Sequence, residues 1–163
     1  MIRLVKIFFL FLILHPLSAQ TIYRYGTTTA NFLEIGIGSG PTAMGDAYVA
    51  VANDVSSIYW NPAGLAFQDG SELAIMHVNW LPNLADDMYY EFLGFRRQFP
   101  TLGTLGGHLI YLNLGEQVRM DEYAQYQGTF TSYMMAAALS YSTQLSPSSS
   151  FGMSAKLSYQ HLV

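Results

Sequence analysis

The strongest constraint on this fold is a two-residue alternation of side-chain character near the end of the chain. In residues 150–161 the odd positions are mainly apolar and the even positions are small or polar. The two sets are Phe151, Met153, Ala155, Leu157 and Tyr159, and Gly152, Ser154, Lys156, Ser158 and Gln160. Successive side chains of a β-strand point to opposite faces. The segment therefore predicts a strand with one apolar face and one polar face.

Residues 130–144 repeat this division. One set is mainly bulky and the other mainly small or polar: Tyr133, Met135, Ala137, Leu139 and Tyr141, and Ser132, Met134, Ala136, Ala138, Ser140 and Ser142. A half-buried strand of a soluble sandwich alternates in the same way. Strand length and aromatic flanks favour membrane-spanning strands, which need about 9 to 11 residues between aromatic belts. We predict that Tyr133, Met135, Leu139, Tyr141, Phe151, Met153, Leu157 and Tyr159 face lipid, and that Ser154, Lys156, Ser158 and Gln160 face a lumen.

Three further strands are predicted upstream, at residues 72–80, 88–97 and 103–114. The connectors are medium (81–87), short (98–102), long and polar (115–129) and short (145–149). Outer-membrane barrels have short periplasmic turns and longer external loops, so the first strand is expected to run outward. In the second strand Glu91 shares a face with Leu93 and Phe95. Because a carboxylate facing lipid is costly, we predict Glu91 in the lumen, with Tyr90, Phe92 and Gly94 facing lipid.

The first 19 residues read as an export signal. Arg3 and Lys6 precede an apolar run at 7–14, and the small residues Ser18 and Ala19 follow. The run is shorter than the ~20 residues of a spanning helix, so cleavage after Ala19 is favoured over a membrane anchor. The predicted organisation is a signal peptide at 1–19, an N-terminal segment at 20–70 and strands at 71–163.

Composition excludes several classes of function. The predicted mature chain loses two of seven basic residues and none of eleven acidic ones, which gives a charge of 5 − 11 = −6 and disfavours nucleic-acid binding. There is no cysteine, hence no disulfide and no thiolate metal site. Only 11% of residues are charged and 15% are aromatic, which is unusually apolar for a soluble domain.

The segment at 20–70 contains a glycine-rich stretch, FLEIGIGSGPTAMG at 32–45, and the corner YWNPAGLA at 59–66. Two short helices are predicted, one at 42–51 and one begun by Asp54. Pro62 disfavours a helical Asn61, and Gly64 permits positive φ. An Asn-Pro turn alone indicates only an ordinary surface loop.

The sequence contains no complete motif for metal binding, nucleotide binding or catalysis. His77, His108 and His161 fall on three strands without metal-ligand spacing, and GIGSG lacks the third glycine and the βαβ unit of a nucleotide loop. The acidic pairs Asp86-Asp87 and Asp121-Glu122 lie in predicted external loops, where solvated charge is the default. We predict no enzyme activity, no metal and no cofactor.

Three runs carry a family resemblance. They are GPTAMGDAYVAVANDVSSIYWNPAGLA at 40–66, GTLGGHLIYLNLGE at 103–116 and ALSYSTQLSPSSSFGMSAKLSYQH at 138–161. The chain resembles the PorV/PorQ family, a branch of the FadL-like outer-membrane barrels, over nearly the whole predicted mature chain. Asp46 departs from the glycine that the family pattern has after Met44-Gly45.

The resemblance implies an all-β fold, an antiparallel transmembrane barrel of about 14 strands with a short helical N-terminal hatch inside. Residues 54–60 would form a hatch helix and 61–64 the corner leading to the first strand, so the hatch motif comprises Asp54, Tyr59, Trp60, Asn61, Pro62, Ala63 and Gly64. Five strands cannot close a barrel without leaving edges in lipid, so we expect an N-terminal fragment of a longer protein.

The implied function is assistance to type IX protein secretion at the bacterial outer membrane, with lipid, secretion-system components and exported cargo as partners. Uptake of hydrophobic small molecules such as long-chain fatty acids, as in FadL-like channels, stays open. A small structural or adhesin-type barrel and a soluble sandwich are further alternatives, the last disfavoured by the apolar character of both faces of residues 103–114.

Overall fold

The computed structural model describes residues 30–83 and 85–162. Its main element is one antiparallel sheet with the strands in chain order: β1 (Ser71–Asn79), β2 (Met88–Phe99), β3 (Gly103–Met120), β4 (Tyr126–Ser146) and β5 (Ser149–His161). The prediction of an all-β chain with five antiparallel strands is confirmed. The predicted signal peptide lies outside the described residues.

The connection between β3 and β4 differs from the prediction. The two strands extend toward each other until only residues 121–125 separate them, so the long loop expected at 115–129 is mostly strand. The ladder shifts register between Asn113 and Glu116, where Gly115 adopts φ 71°. An extra residue at such a bulge lets pairing resume beyond it, which polar composition alone does not reveal.

Residues 30–70 contain four short helices before the sheet: two 3₁₀ helices (Asn31–Glu34 and Pro62–Phe67) and two α-helices (Ser39–Ala43 and Ser57–Trp60). The helix predicted at 42–51 is wrong, because the chain takes positive φ at Gly45 and Asp46. Asp54 precedes the second α-helix, and its Oδ1 accepts a hydrogen bond from the Ser56 amide at 2.9 Å. None of the helices in residues 30–83 and 85–162 has the length and apolar character needed to traverse a bilayer.

The four short helices lie within residues 31–67, which we call the helical segment. The core lies between this segment and one face of the sheet. We call this the inner face; it carries the even-numbered side chains of the strands between residues 72 and 114 and between 132 and 160. The outer face carries the odd-numbered ones. The buried cluster joins both layers and comprises Phe32, Ile37, Val55, Ile58 and Leu65 with Tyr90, Phe92, Ile110, Leu112 and Ala136.

The facing predicted for the second strand is wrong. Tyr90 and Phe92 are buried against the helical segment, while Glu91 lies on the outer face with Leu93 and Phe95. Burying two large aromatic side chains in the core is worth several kcal/mol, on the order of 2 for each. Glu91 finds a cross-strand partner in His77 (Nδ1 to Oε1, 2.6 Å), which offsets the cost of its position.

Candidate functional site: the two faces of the sheet

The Asn-Pro corner is held by hydrogen bonds of Asn61. Its Oδ1 accepts from the Ala63 amide at 3.2 Å and caps the 3₁₀ helix Pro62–Phe67. Its Nδ2 donates to the Val49 carbonyl at 3.0 Å, which ties the corner to the preceding turns. Gly64 is required for space rather than for positive φ, because an added Cβ would lie 2.7 Å from the Ala52 carbonyl oxygen.

Residues of strands β4 and β5 contact the same corner. The hydroxyls of Ser150 and Ser142 donate to the Ala63 carbonyl at 2.8 and 3.3 Å. Gly152 faces the backbone of Pro62 and Ala63 so closely that a Cβ there would overlap it. The corner is therefore held on the sheet by two serine side chains that bind its backbone and by the close approach of Gly152.

Two aromatic side chains connect the helix Ser57–Trp60 to the glycine-rich stretch before it. The Tyr59 hydroxyl donates to the Ile35 carbonyl at 3.1 Å, and Trp60 Nε1 donates to the Ile37 carbonyl at 3.1 Å. The rings meet edge to face at 5.1 Å. Burial, and then the nearby Asp46 and Glu34 carboxylates, raise the pKa of Tyr59, so its hydroxyl remains a donor at neutral pH.

The predicted hatch residues thus form one run packed on the inner face. Asp54 begins it, Tyr59 and Trp60 bind the preceding stretch, and the Asn61–Gly64 corner leads into the last helix before β1. Whether this run acts as a hatch stays a prediction.

The inner face also carries polar side chains beneath this run. Lys156 places Nζ 5.2 Å from the centroid of the Tyr59 ring. His108 is 3% exposed and lies between the rings of Tyr59 and Phe92, and neither ring nitrogen has a hydrogen-bond partner in the described part of the chain. Of the residues predicted to face a lumen, Ser154 bonds Ser140 at 2.6 Å. All of them share the inner face: Ser154, Lys156, Ser158 and Gln160.

The outer face is apolar and carries an aromatic row. Tyr89, Tyr111, Tyr133 and Tyr159 follow one another across β2 to β5 with ring centroids 5.9, 5.9 and 6.2 Å apart. The residues predicted to face lipid lie on this face: Tyr133, Met135, Leu139, Tyr141, Phe151, Met153, Leu157 and Tyr159. Sequence reasoning missed Tyr89 and Tyr111, because the row becomes visible only when the strands are placed in register.

The remaining candidates are dispersed or structural. His77, His108 and His161 lie on β1, β3 and β5. No group of three His, Cys, Asp or Glu suited to a metal occurs in residues 30–83 and 85–162. Asp87 accepts from the Glu116 amide, and Asp121 Oδ1 accepts from the Gln125 amide at 2.8 Å. One carboxylate of each predicted acidic pair therefore accepts a hydrogen bond from a backbone amide.

Comparison with known proteins identifies the family of this chain. A search of curated proteins found no significant match. The model of the family described as "Type IX secretion system protein PorV" matches residues 18–161, which include every described helix and strand. The chain belongs to this PorV family.

Proposed function

We propose that this chain is an outer-membrane protein that assists type IX protein secretion. It would be exported by a signal peptide cleaved after Ala19, residues 20–70 would form a hatch, and residues 71–163 would supply the first strands of a FadL-like barrel. The observation that carries the proposal is the family match over residues 18–161.

The outer face supports a place in the membrane. Tyr133 and Tyr141 lie eight residues apart on β4, or ~26 Å along the strand at ~3.3 Å per residue. A strand tilted by ~45° converts that to ~19 Å of depth, about three quarters of the ~25 Å apolar band of outer-membrane barrels. Between the two tyrosines the outer-face positions of the five strands carry no charged group except His77 and Glu91, which pair beside the tyrosine row.

A gene deletion tests the secretion role. Cells lacking the protein should retain type IX cargo that wild-type cells release, and a plasmid copy should restore release. The matched localisation experiment is mass spectrometry of outer-membrane fractions, in which the mature N-terminus should be Gln20. Normal cargo release by the deletion strain, or recovery of the protein in the periplasm, contradicts the proposal.

A second candidate is a channel for hydrophobic solutes. Lys156 points to the inner face, has no ion pair among the described residues and lies near the buried His108. A cation on this face favours solutes with an anionic end, such as long-chain fatty acids. Uptake of labelled fatty acid that falls in the deletion strain, with cargo release unchanged, would favour this alternative.

A further inference from the structure

The outer face contains a groove of about 930 Å³ that runs across the strands. Its walls include Leu93, Phe95, Leu109 and Leu157. Small residues lie between these walls because of the strand register: Gly107 stands beside Phe95, and Ala137 stands between Leu109 and Leu157. Its volume is within the range of ligand pockets, and its surface is almost wholly apolar.

One cation lies at the end of the groove. Arg97 lines it, and its guanidinium carbon stands 5.4 Å from the centroid of the Phe99 ring. Arg97 has no ion pair within residues 30–83 and 85–162. Lys156 also borders the groove, but its ammonium lies over Tyr59 on the inner face. The guanidinium is thus the charge available to an occupant.

The depth of Arg97 identifies the type of occupant. Arg97 is paired with Leu105, which is paired with Tyr141, so Arg97 lies at the same level of the sheet as Tyr141. The short connection between β2 and β3 follows directly. In the orientation expected from the connector lengths, with β1 running outward, that turn is periplasmic, and Tyr141 lies at the periplasmic boundary of the apolar band, beside the lipid headgroups. An apolar groove that ends in a cation at headgroup depth matches the two parts of an anionic phospholipid.

We propose that the groove binds one anionic phospholipid of the periplasmic leaflet, with its phosphate on Arg97 and an acyl chain against Gly107 and Ala137. Arginine presents a planar fork of donors that suits phosphate oxygens. The proposal rests on the membrane placement proposed above, and goes beyond it by assigning a lipid site to particular residues.

Native mass spectrometry tests the site. The full-length protein is mixed with defined lipids in detergent, and the lipid that it retains after release from the detergent is measured. Wild type should retain phosphatidylglycerol over phosphatidylcholine of the same acyl chains. Arg97→Gln should reduce that retention about fivefold, the loss expected for one cation at a membrane surface. Ala137→Phe, which fills the groove, should remove retention of both lipids.

Two variants serve as matched controls. Arg119 also lies over a phenylalanine ring, that of Phe130 at 5.2 Å, but in the β3–β4 hairpin away from the groove, so Arg119→Gln should retain lipid as wild type does. Met135→Phe enlarges an outer-face side chain that does not line the groove and should also retain lipid.

Three outcomes overturn the proposal. Equal retention of the two lipids by wild type removes the role of Arg97, and unchanged retention in Ala137→Phe removes the role of the groove. Displacement of phosphatidylglycerol by millimolar inorganic phosphate indicates a phosphate site without an acyl contribution. Localisation and cargo release are measured separately, so failure of the lipid site is distinguishable from failure of the secretion role.

Discussion

At the scale of single residues, Gly152 has the clearest steric role, since any side chain there would overlap the Pro62–Ala63 backbone. Gly152→Ala is expected to displace the corner and destabilise its seat by about 1 to 3 kcal/mol, as overpacking does. Limited proteolysis of the folded protein should then cleave the segment before β1 faster. Gly40→Ala, where an added Cβ meets nothing within 4 Å, is the control. Equal proteolysis of both variants would show that Gly152 does not hold the corner.

The two faces of β5 give a second test with adjacent residues. Leu157 is 80% exposed on the outer face, and Ser158 lies on the inner face. If the outer face meets lipid, Leu157→Arg should cost about 2 to 4 kcal/mol near the midplane, and Ser158→Arg should be much better tolerated. A refolding titration of the full-length protein into vesicles measures both. Similar losses for the two variants would be inconsistent with this facing.

At the scale of elements, the turn between β3 and β4 depends on Asp121. Hydrogen bonds from the Gln125 and Tyr123 amides and the Gln127 side chain hold the pKa of Asp121 below its usual 3.8. A lowered folded pKa means that the stabilisation is present above 3.8 and is lost as pH falls through the folded value. Amide protection at Gln125 should therefore be constant from pH 7 to 5 and decline below about 3.8. Protection that is already lost at pH 5, or that survives in Asp121→Ala, would contradict this.

The elements also show what the sequence could and could not predict. Alternation placed strands β4 and β5 because one set of side chains is mainly apolar and the other is mainly small or polar. For β2 alternation grouped Glu91 with Leu93 and Phe95 correctly, but the face was assigned wrongly from the cost of a carboxylate in lipid. The partner that offsets this cost, His77, lies on another strand. The extension of β3 and β4 was missed because it depends on the bulge at Gly115 and on Asp87, a residue 28 positions earlier. Such long-range contacts leave no local pattern.

At the scale of the whole molecule, the question is whether the helical segment closes a pore. Pro62 narrows the unfolded ensemble and Asn61 binds two backbone groups,. Replacing both with glycine should leave the proposed barrel folded, since the strand ladder lies elsewhere, and should raise conductance in reconstituted bilayers. Heat-modifiable gel mobility checks folding. The control is Pro82→Gly with Asn83→Gly in the exposed β1–β2 connector. Conductance at the wild-type level in a folded corner variant would show that the corner is an ordinary loop turn and does not hold a plug in place.

The candidate site was only partly visible before the structure. The corner residues could be singled out because Asn, Pro and Gly restrict or free the backbone in characteristic ways. Their seat on Ser142, Ser150 and Gly152 could not, because those residues are more than 75 positions away. The burial of His108 was also unforeseen, since a lone histidine in a strand has no signature of its own.

The placement of Trp60 provides an intrinsic fluorescent probe of the helical segment. The chain has two tryptophans, and Trp60 lies in the last α-helix before the corner, where its indole contacts Tyr59 and donates to the Ile37 carbonyl. Trp80, the other one, follows β1 and lies near Tyr90. In a Trp80→Phe background the emission would come from Trp60 alone. A red shift of that emission, with no change in sheet signal by circular dichroism, would record the helical segment leaving the strands in real time and without an added label.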